Sequence, residues 1–125
     1  MMPDKRPLPA SVVLVVEDDE LVRFSAVMML EDAGFPVVEA ANADEAWDIL
    51  LERRDVGILF TDVDMPGSMC GRTLAERVFR SWPEIRLILT SGRQRFREDE
   101  VPDHGLFVAK PYSTSEVVQA IHEAR

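Results

Sequence analysis

Three acidic or basic groups stand where short apolar runs end. Val12–Val16 is followed by Glu17, Asp18, Asp19 and Glu20; the run 57–61 by Asp62 and Asp64, then Met65-Pro66; and Leu106–Ala109 by Lys110-Pro111. A fourth run, 86–90, closes on Thr90 and Ser91. Carboxylates gathered in one place repel each other, so such a set calls for a cation. A set made only of Asp and Glu oxygens points to a hard divalent ion, with Mg²⁺ retaining several waters as the first choice. His104 and His122 stand apart and Cys70 is the single cysteine, so a zinc ligand set is missing. Arginine occurs twelve times and lysine only twice, at Lys5 and Lys110. A lysine set directly after a buried strand offers a compact point charge for a phosphate or carboxylate. Together these parts resemble a phosphoryl-transfer site. Asp62, first after the central run, is the expected nucleophile. Glu17 and Asp18 hold the ion, and Thr90 and Lys110 reach the phosphoryl oxygens.

The elements that must carry these groups follow from periodicity. The apolar runs, with Val37-Val38 between the first and the third, are short and uninterrupted, as in strands buried on both faces. Between them lie stretches of helical period. One has Val22, Ala26, Met29, Leu30 and Ala33 on one face, with Gly34 at the C-terminal end. A second has Ala43, Ala46, Trp47 and Leu50 after Asn42 as N-cap. A third has Leu74, Ala75 and Val78 before Trp82-Pro83, and the last has Val117, Val118 and Ile121 after a Ser113 or Ser115 cap. Met28 and Met29 read as further packing residues. Residues 93–105 have little apolar to bury, and at most a short exposed helix is expected there. Repeated strand–helix alternation implies right-handed βαβ units, hence an α/β fold with a five-stranded parallel sheet between helical layers. In such sheets the working site lies beyond the carboxyl ends of the strands, where the polar groups stand.

Composition narrows the class. The 125 residues carry 14 basic and 23 acidic side chains, a formal charge of -9, which argues against direct nucleic-acid binding. With 46% hydrophobic and 30% charged residues the chain has the mix of one globular domain, and no apolar run approaches a membrane span. Residues 1–10 hold Lys5, Arg6 and three prolines and are expected to form a flexible leader, with the domain over 11–125. One cysteine allows no internal disulfide, and a cytoplasmic location is expected.

Four pieces in order, Val15-Val16-Glu17-Asp18-Asp19, Asp62-Val63-Asp64-Met65-Pro66, Thr90-Ser91-Gly92 and Lys110-Pro111-Tyr112, resemble the receiver domain of two-component response regulators. The likeness runs from Val12 to about Ala124. It implies a flavodoxin-like (βα)5 three-layer sandwich, in which residues 93–105 would leave the fourth helix weak or short, and Asp62 as phosphoacceptor. It also implies Mg²⁺ on the carboxylates of Asp18 and Asp62 and the backbone carbonyl of Asp64, with Glu17 acting through water. Lys110 would pair with the phosphoryl group across a peptide to Pro111 that is often cis in this family, and Thr90 and Phe107 would be the switch residues. Arg23 matches a frequent family residue whose role stays open. The implied partners are a histidine kinase or histidine phosphotransfer protein and an unknown downstream protein, with no membrane and a monomer or weak homodimer.

Three departures accompany the likeness. The loop 67–71 is one residue longer than usual, the segment 93–105 is degraded, and no effector domain is expected after Arg125. The expectation is therefore a single-domain response regulator acting by conformational switching or as a phosphate relay or sink, without substrate turnover. Two rivals remain at this stage. Asp62-Val63-Asp64 also resembles the nucleophile motif of haloacid dehalogenase-like phosphatases, although there the motif normally sits on the first strand. The other rival is a receiver-fold interaction module that works without phosphorylation, against which stands the filling of every expected site position.

Overall fold

The computed structural model describes residues 12–65, 69–92 and 105–123. The leader 1–10, residues 66–68 of the lengthened loop and the expected weak helix within 93–104 lie outside the described residues. Five strands, β1 (Val12–Val16), β2 (Val37–Ala40), β3 (Val56–Asp62), β4 (Arg86–Ser91) and β5 (Leu106–Ala109), form one parallel sheet in the order β2-β1-β3-β4-β5. Four helices accompany it among the described residues: α1 (Glu20–Asp32), α2 (Ala43–Glu52), α3 (Gly71–Ser81) and α4 (Thr114–Glu123). Strand order therefore reverses between β1 and β3, and their carboxyl ends open a crevice there.

The apolar runs of β1, β3 and β4 are buried on both sides because alternate residues serve different cores, whereas β2 and β5, at the edges of the sheet, are only partly buried. Leu14, Val16, Leu59, Leu87 and Leu89 face the α2 and α3 stripes of Ala43, Ala46, Leu50, Leu74, Ala75 and Val78. Val13, Val15, Ile58, Phe60 and Ile88 face Ala26 and Leu30 of α1 and Val117, Ala120 and Ile121 of α4. Burying a Leu or Phe side chain of this kind stabilises by roughly 1.5–3 kcal/mol. Two expectations are corrected here. Val118 is only half-buried and Ala120 takes the core position, because the α4 face is centred one residue further round. Met28, expected to pack, is 44% exposed because the buried stripe of α1 runs through Ala26 and Leu30.

The helix ends set where each strand–helix turn falls. Asp19 caps α1, accepting from the backbone N–H groups of Leu21 and Val22 at 3.0 Å each. Asn42 caps α2 through Glu45 N at 2.8 Å. Ser113, rather than Ser115, caps α4: its hydroxyl accepts from Glu116 N, and the Glu116 carboxylate accepts from Ser113 N. At the far end of α1, Gly34 takes φ 96°, which lets Gly34 N reach Glu31 O and Phe35 N reach Leu30 O.

Candidate functional site

Backbone ties hold the carboxyl ends of the strands in register. Glu17 N donates to Ala40 O at 3.1 Å, Val63 N to Thr90 O at 2.9 Å, and Lys110 N to Ser91 O at 3.0 Å. Glu17, Asp62, Thr90 and Lys110 are thus fixed as continuations of neighbouring strands rather than carried on independent loops. The Lys110-Pro111 peptide is cis.

Above these ends lies a cleft of about 840 Å³ whose wall includes Glu17, Asp18, Asp62, Asp64, Arg72 and Lys110. Glu17, Asp18 and Asp62 each bring a carboxylate oxygen within 4.8 Å of the other two. Glu17 and Asp62 are buried while Asp18 is exposed, so the triad opens toward solvent on the Asp18 side. Lys110 Nζ donates to Glu17 Oε1 at 2.8 Å and to Asp62 Oδ2 at 3.2 Å. The second oxygens are also engaged: Glu17 Oε2 accepts from Asp19 N and Asp62 Oδ1 from Asp64 N, both at 3.1 Å. Each buried carboxylate is therefore aimed by one backbone N–H and one ammonium.

The electrostatics of this pair are uneven. Burial, the largest influence on Glu17, raises its pKa above the usual glutamate value, and Asp62 adds repulsion; the bonds from Lys110 and Asp19 only partly offset this. For Lys110, burial is again the largest single influence and opposes its charge. The hydrogen bond to Glu17 and the fields of Asp62 and Glu17 together exceed it, so Lys110 is held charged beyond the usual lysine range. Glu17, Asp18 and Asp62 thus bring three carboxylates together beside the Lys110 ammonium, and an oxygen-only group of this kind suits a hard divalent ion.

Of the other expected residues, Asp64 lies in the cleft wall, with its carboxylate accepting from the Ser91 hydroxyl. Thr90 is 3% exposed, pairs with Asp62 across β3 and β4, and its hydroxyl has no hydrogen-bond partner. It is not part of the cleft wall. Phe107 is half-buried on β5, opposite Leu89, and packs against the α2–α3 core.

Three residues outside the expected set belong to this region. Ser91 is fully buried and reaches Asp64. Its signal was the pair of hydroxyl residues ending β4, which strand alternation turns to opposite faces. Arg23, of open role in the sequence, donates from Nη1 to the Glu17 carbonyl and from Nε to Glu39 Oε1, each at 2.9 Å, and so ties the acidic turn to the end of β2. Arg72, on the first turn of α3, stands in the cleft wall beside Cys70. Gly71 before it is required by contact: a Cβ there would lie 1.8 Å from the Asp62 carbonyl oxygen.

A flavodoxin-like sheet with an acidic triad and a lysine at its switch point defines the class. Within it, the model of the response regulator receiver domain matches residues 13–122, and the chain belongs to that family. It is 34% identical over 118 residues to the sensor kinase CckA of Brucella abortus, covering 91% of this chain and 12% of the kinase. It is 28% identical over 114 residues to the response regulator receiver protein CpdR of the same organism, covering 89% of this chain and 93% of CpdR. Among solved structures, the response regulator protein TrrA of Thermotoga maritima, in complex with Mg²⁺-BeF, superposes with a TM-score of 0.79 at 20% identity over 90% of this chain and 97% of that one. The chain spans under half the length of several curated relatives it matches, among them 12% of CckA and 43% of the regulator PhyR of Methylorubrum extorquens.

Proposed function

We propose that this receiver domain accepts a phosphoryl group on Asp62 from a histidine kinase or histidine phosphotransfer protein, in a Mg²⁺-dependent reaction, and signals by conformational switching or acts as a phosphate relay or sink. The observation that carries the reading is the shared triad of Glu17, Asp18 and Asp62 with Lys110 bonded to two of its members. In the transfer, a carboxylate oxygen of Asp62 forms the new O–P bond as the P–N bond to the donor imidazole breaks, and that nitrogen keeps the electron pair. Asp18 and Asp62 carboxylates with the Asp64 carbonyl would hold Mg²⁺, Glu17 acting through water. When bound, the ion supplies positive charge to the phosphoryl oxygens. Lys110 neutralises a further part of that charge, and Asp64 N keeps the Asp62 carboxylate oriented.

The unpartnered, buried Thr90 hydroxyl supports a switch role, since a phosphoryl oxygen arriving over Asp62 would give it the acceptor it lacks. Moving Thr90 toward the site would open space beside β5, where Phe107 is only half-buried. The reading includes no turnover of a separate substrate, a cytoplasmic location, contact with a downstream protein rather than nucleic acid, and a monomer or weak homodimer. Among the described residues no helix is long and apolar enough to cross a membrane. The test is beryllofluoride, a phosphoryl mimic, followed by amide NMR. Shifts at Asp62, Thr90 and Lys110 that require both Mg²⁺ and beryllofluoride support the proposal. Their absence at saturating concentrations, or multiple turnovers of p-nitrophenyl phosphate, would refute it.

A further inference from the structure

Backbone pairing with β4 carries the chain as far as Val63, whose N–H donates to Thr90 O at 2.9 Å. Asp64 lies one residue further on, and its own N–H turns to Asp62 Oδ1 at 3.1 Å. Its side chain takes over the connection to β4: the Asp64 carboxylate accepts from the Ser91 hydroxyl. Ser91 is a firm anchor. It is fully buried, stands opposite Ala109 in the sheet register, and its carbonyl accepts from Lys110 N at 3.0 Å. A hydrogen bond to an ionised carboxylate is among the stronger ones, and it orients the residue that carries the acceptor. With its N–H and its carboxylate both held, Asp64 has its φ set, and only ψ is left to aim its carbonyl.

We propose that Ser91 is a positioning residue for the divalent ion: by holding the Asp64 carboxylate it fixes the Asp64 backbone, so that the Asp64 carbonyl and the Asp62 carboxylate are presented to the ion together. The inference rests on the Mg²⁺ reading above and extends it to a residue that touches neither the ion nor the phosphoryl group. Groups one bond removed from a metal ligand orient that ligand and raise affinity. Ser91 carries no charge, so its removal leaves the charge of the acids as it is, and its effect on the ion comes through geometry. The pleat assigns the part to Ser91 and not to Thr90, whose hydroxyl faces the other way and reaches no partner.

The experiment titrates Mg²⁺ into the chain by calorimetry and follows hydrogen exchange of the Asp64 amide by NMR in the metal-free chain. Ser91→Ala is expected to weaken Mg²⁺ binding by about tenfold, the lower end of what loss of a ligand's supporting partner costs. It is also expected to speed exchange of the Asp64 amide as its bond to Asp62 Oδ1 loosens. In an Asp64→Ala background the same Ser91→Ala change is expected to leave Mg²⁺ affinity where it was. Gly34→Ala, at the far end of α1, lowers stability without touching the tie and separates positioning from a general loosening of the fold. A Ser91→Ala affinity within about twofold of the parent's, an equal fall in Gly34→Ala, or a loss that persists without the Asp64 carboxylate overturns the inference. A parent chain that binds no Mg²⁺ overturns the metal reading and this inference with it, a result distinct from the other three.

Discussion

Lys110 Nζ lies 2.8 Å from Glu17 Oε1 and 3.2 Å from Asp62 Oδ2, so the ammonium is bound more closely to the flanking acid than to the central one. It occupies the charge-neutralising role that a divalent ion would share. Lys110→Gln is therefore expected to leave two buried carboxylates facing each other and to destabilise the metal-free protein by about 1–3 kcal/mol. Saturating Mg²⁺ should recover most of that loss, and the affinity for Mg²⁺ should rise. Urea unfolding with and without Mg²⁺, together with calorimetric titration, checks both signs.

Thr90 gives a prediction in the opposite direction. A buried hydroxyl without a partner costs free energy that an apolar group of the same shape does not. Thr90→Val should stabilise the resting protein by about 1 kcal/mol and weaken beryllofluoride binding. A loss of stability in urea would mean that the hydroxyl is satisfied in solution.

Two glycines separate packing from backbone conformation. At Gly71 an added Cβ would fall 1.8 Å from Asp62 O and 2.7 Å from Asp62 C, so α3 or the end of β3 must move. Gly71→Ala should cost about 2 kcal/mol or more and reduce Mg²⁺ affinity with it. Gly34 has φ 96° and nothing within 4 Å of the added atom. Gly34→Ala should cost about 1 kcal/mol through strain alone and leave Mg²⁺ affinity unchanged. Unfolding midpoints and ion titrations on both variants test the contrast.

Tyr112 is the single tyrosine of the chain, which makes its ionisation visible in the ultraviolet without interference from another phenol. Burial against Phe60, at 5.4 Å between ring centroids, is the main reason its pKa lies above the ordinary phenol value. Lys110 works the other way, because a nearby positive charge favours the phenolate. Absorbance titration should place the midpoint above that of free tyrosine, and Lys110→Gln should raise it further. Since the folded value is the higher one, this group stabilises the fold at lower pH, and its contribution is lost as pH rises through the folded midpoint.

Much of this architecture is readable from residue order. Val12–Val16, the run 57–61 and the Asn42 cap stand where periodicity and capping chemistry put them, because two-sided burial leaves an unbroken apolar run and a helix start needs an acceptor. The gathering of Glu17, Asp18, Asp62 and Lys110 follows from the strand-end rule. What sequence does not reveal is the direction of side chains at the ends of elements. Thr90 and Ser91 are equivalent as letters, yet the pleat turns only Ser91 to Asp64. Arg72 reads as one more surface arginine until α3 is seen to begin against the end of β3. Arg23, on α1, likewise gains its part from a partner, Glu39, sixteen residues away on β2.

Intact-mass spectrometry of the chain after incubation with acetyl phosphate and Mg²⁺ tests the central claim most directly. The account predicts the added mass of one phosphoryl group, mapped by peptide fragmentation to Asp62, and lost with a chelator or in Asp62→Asn. No added mass on the folded chain, or the same added mass in Asp62→Asn, would contradict it.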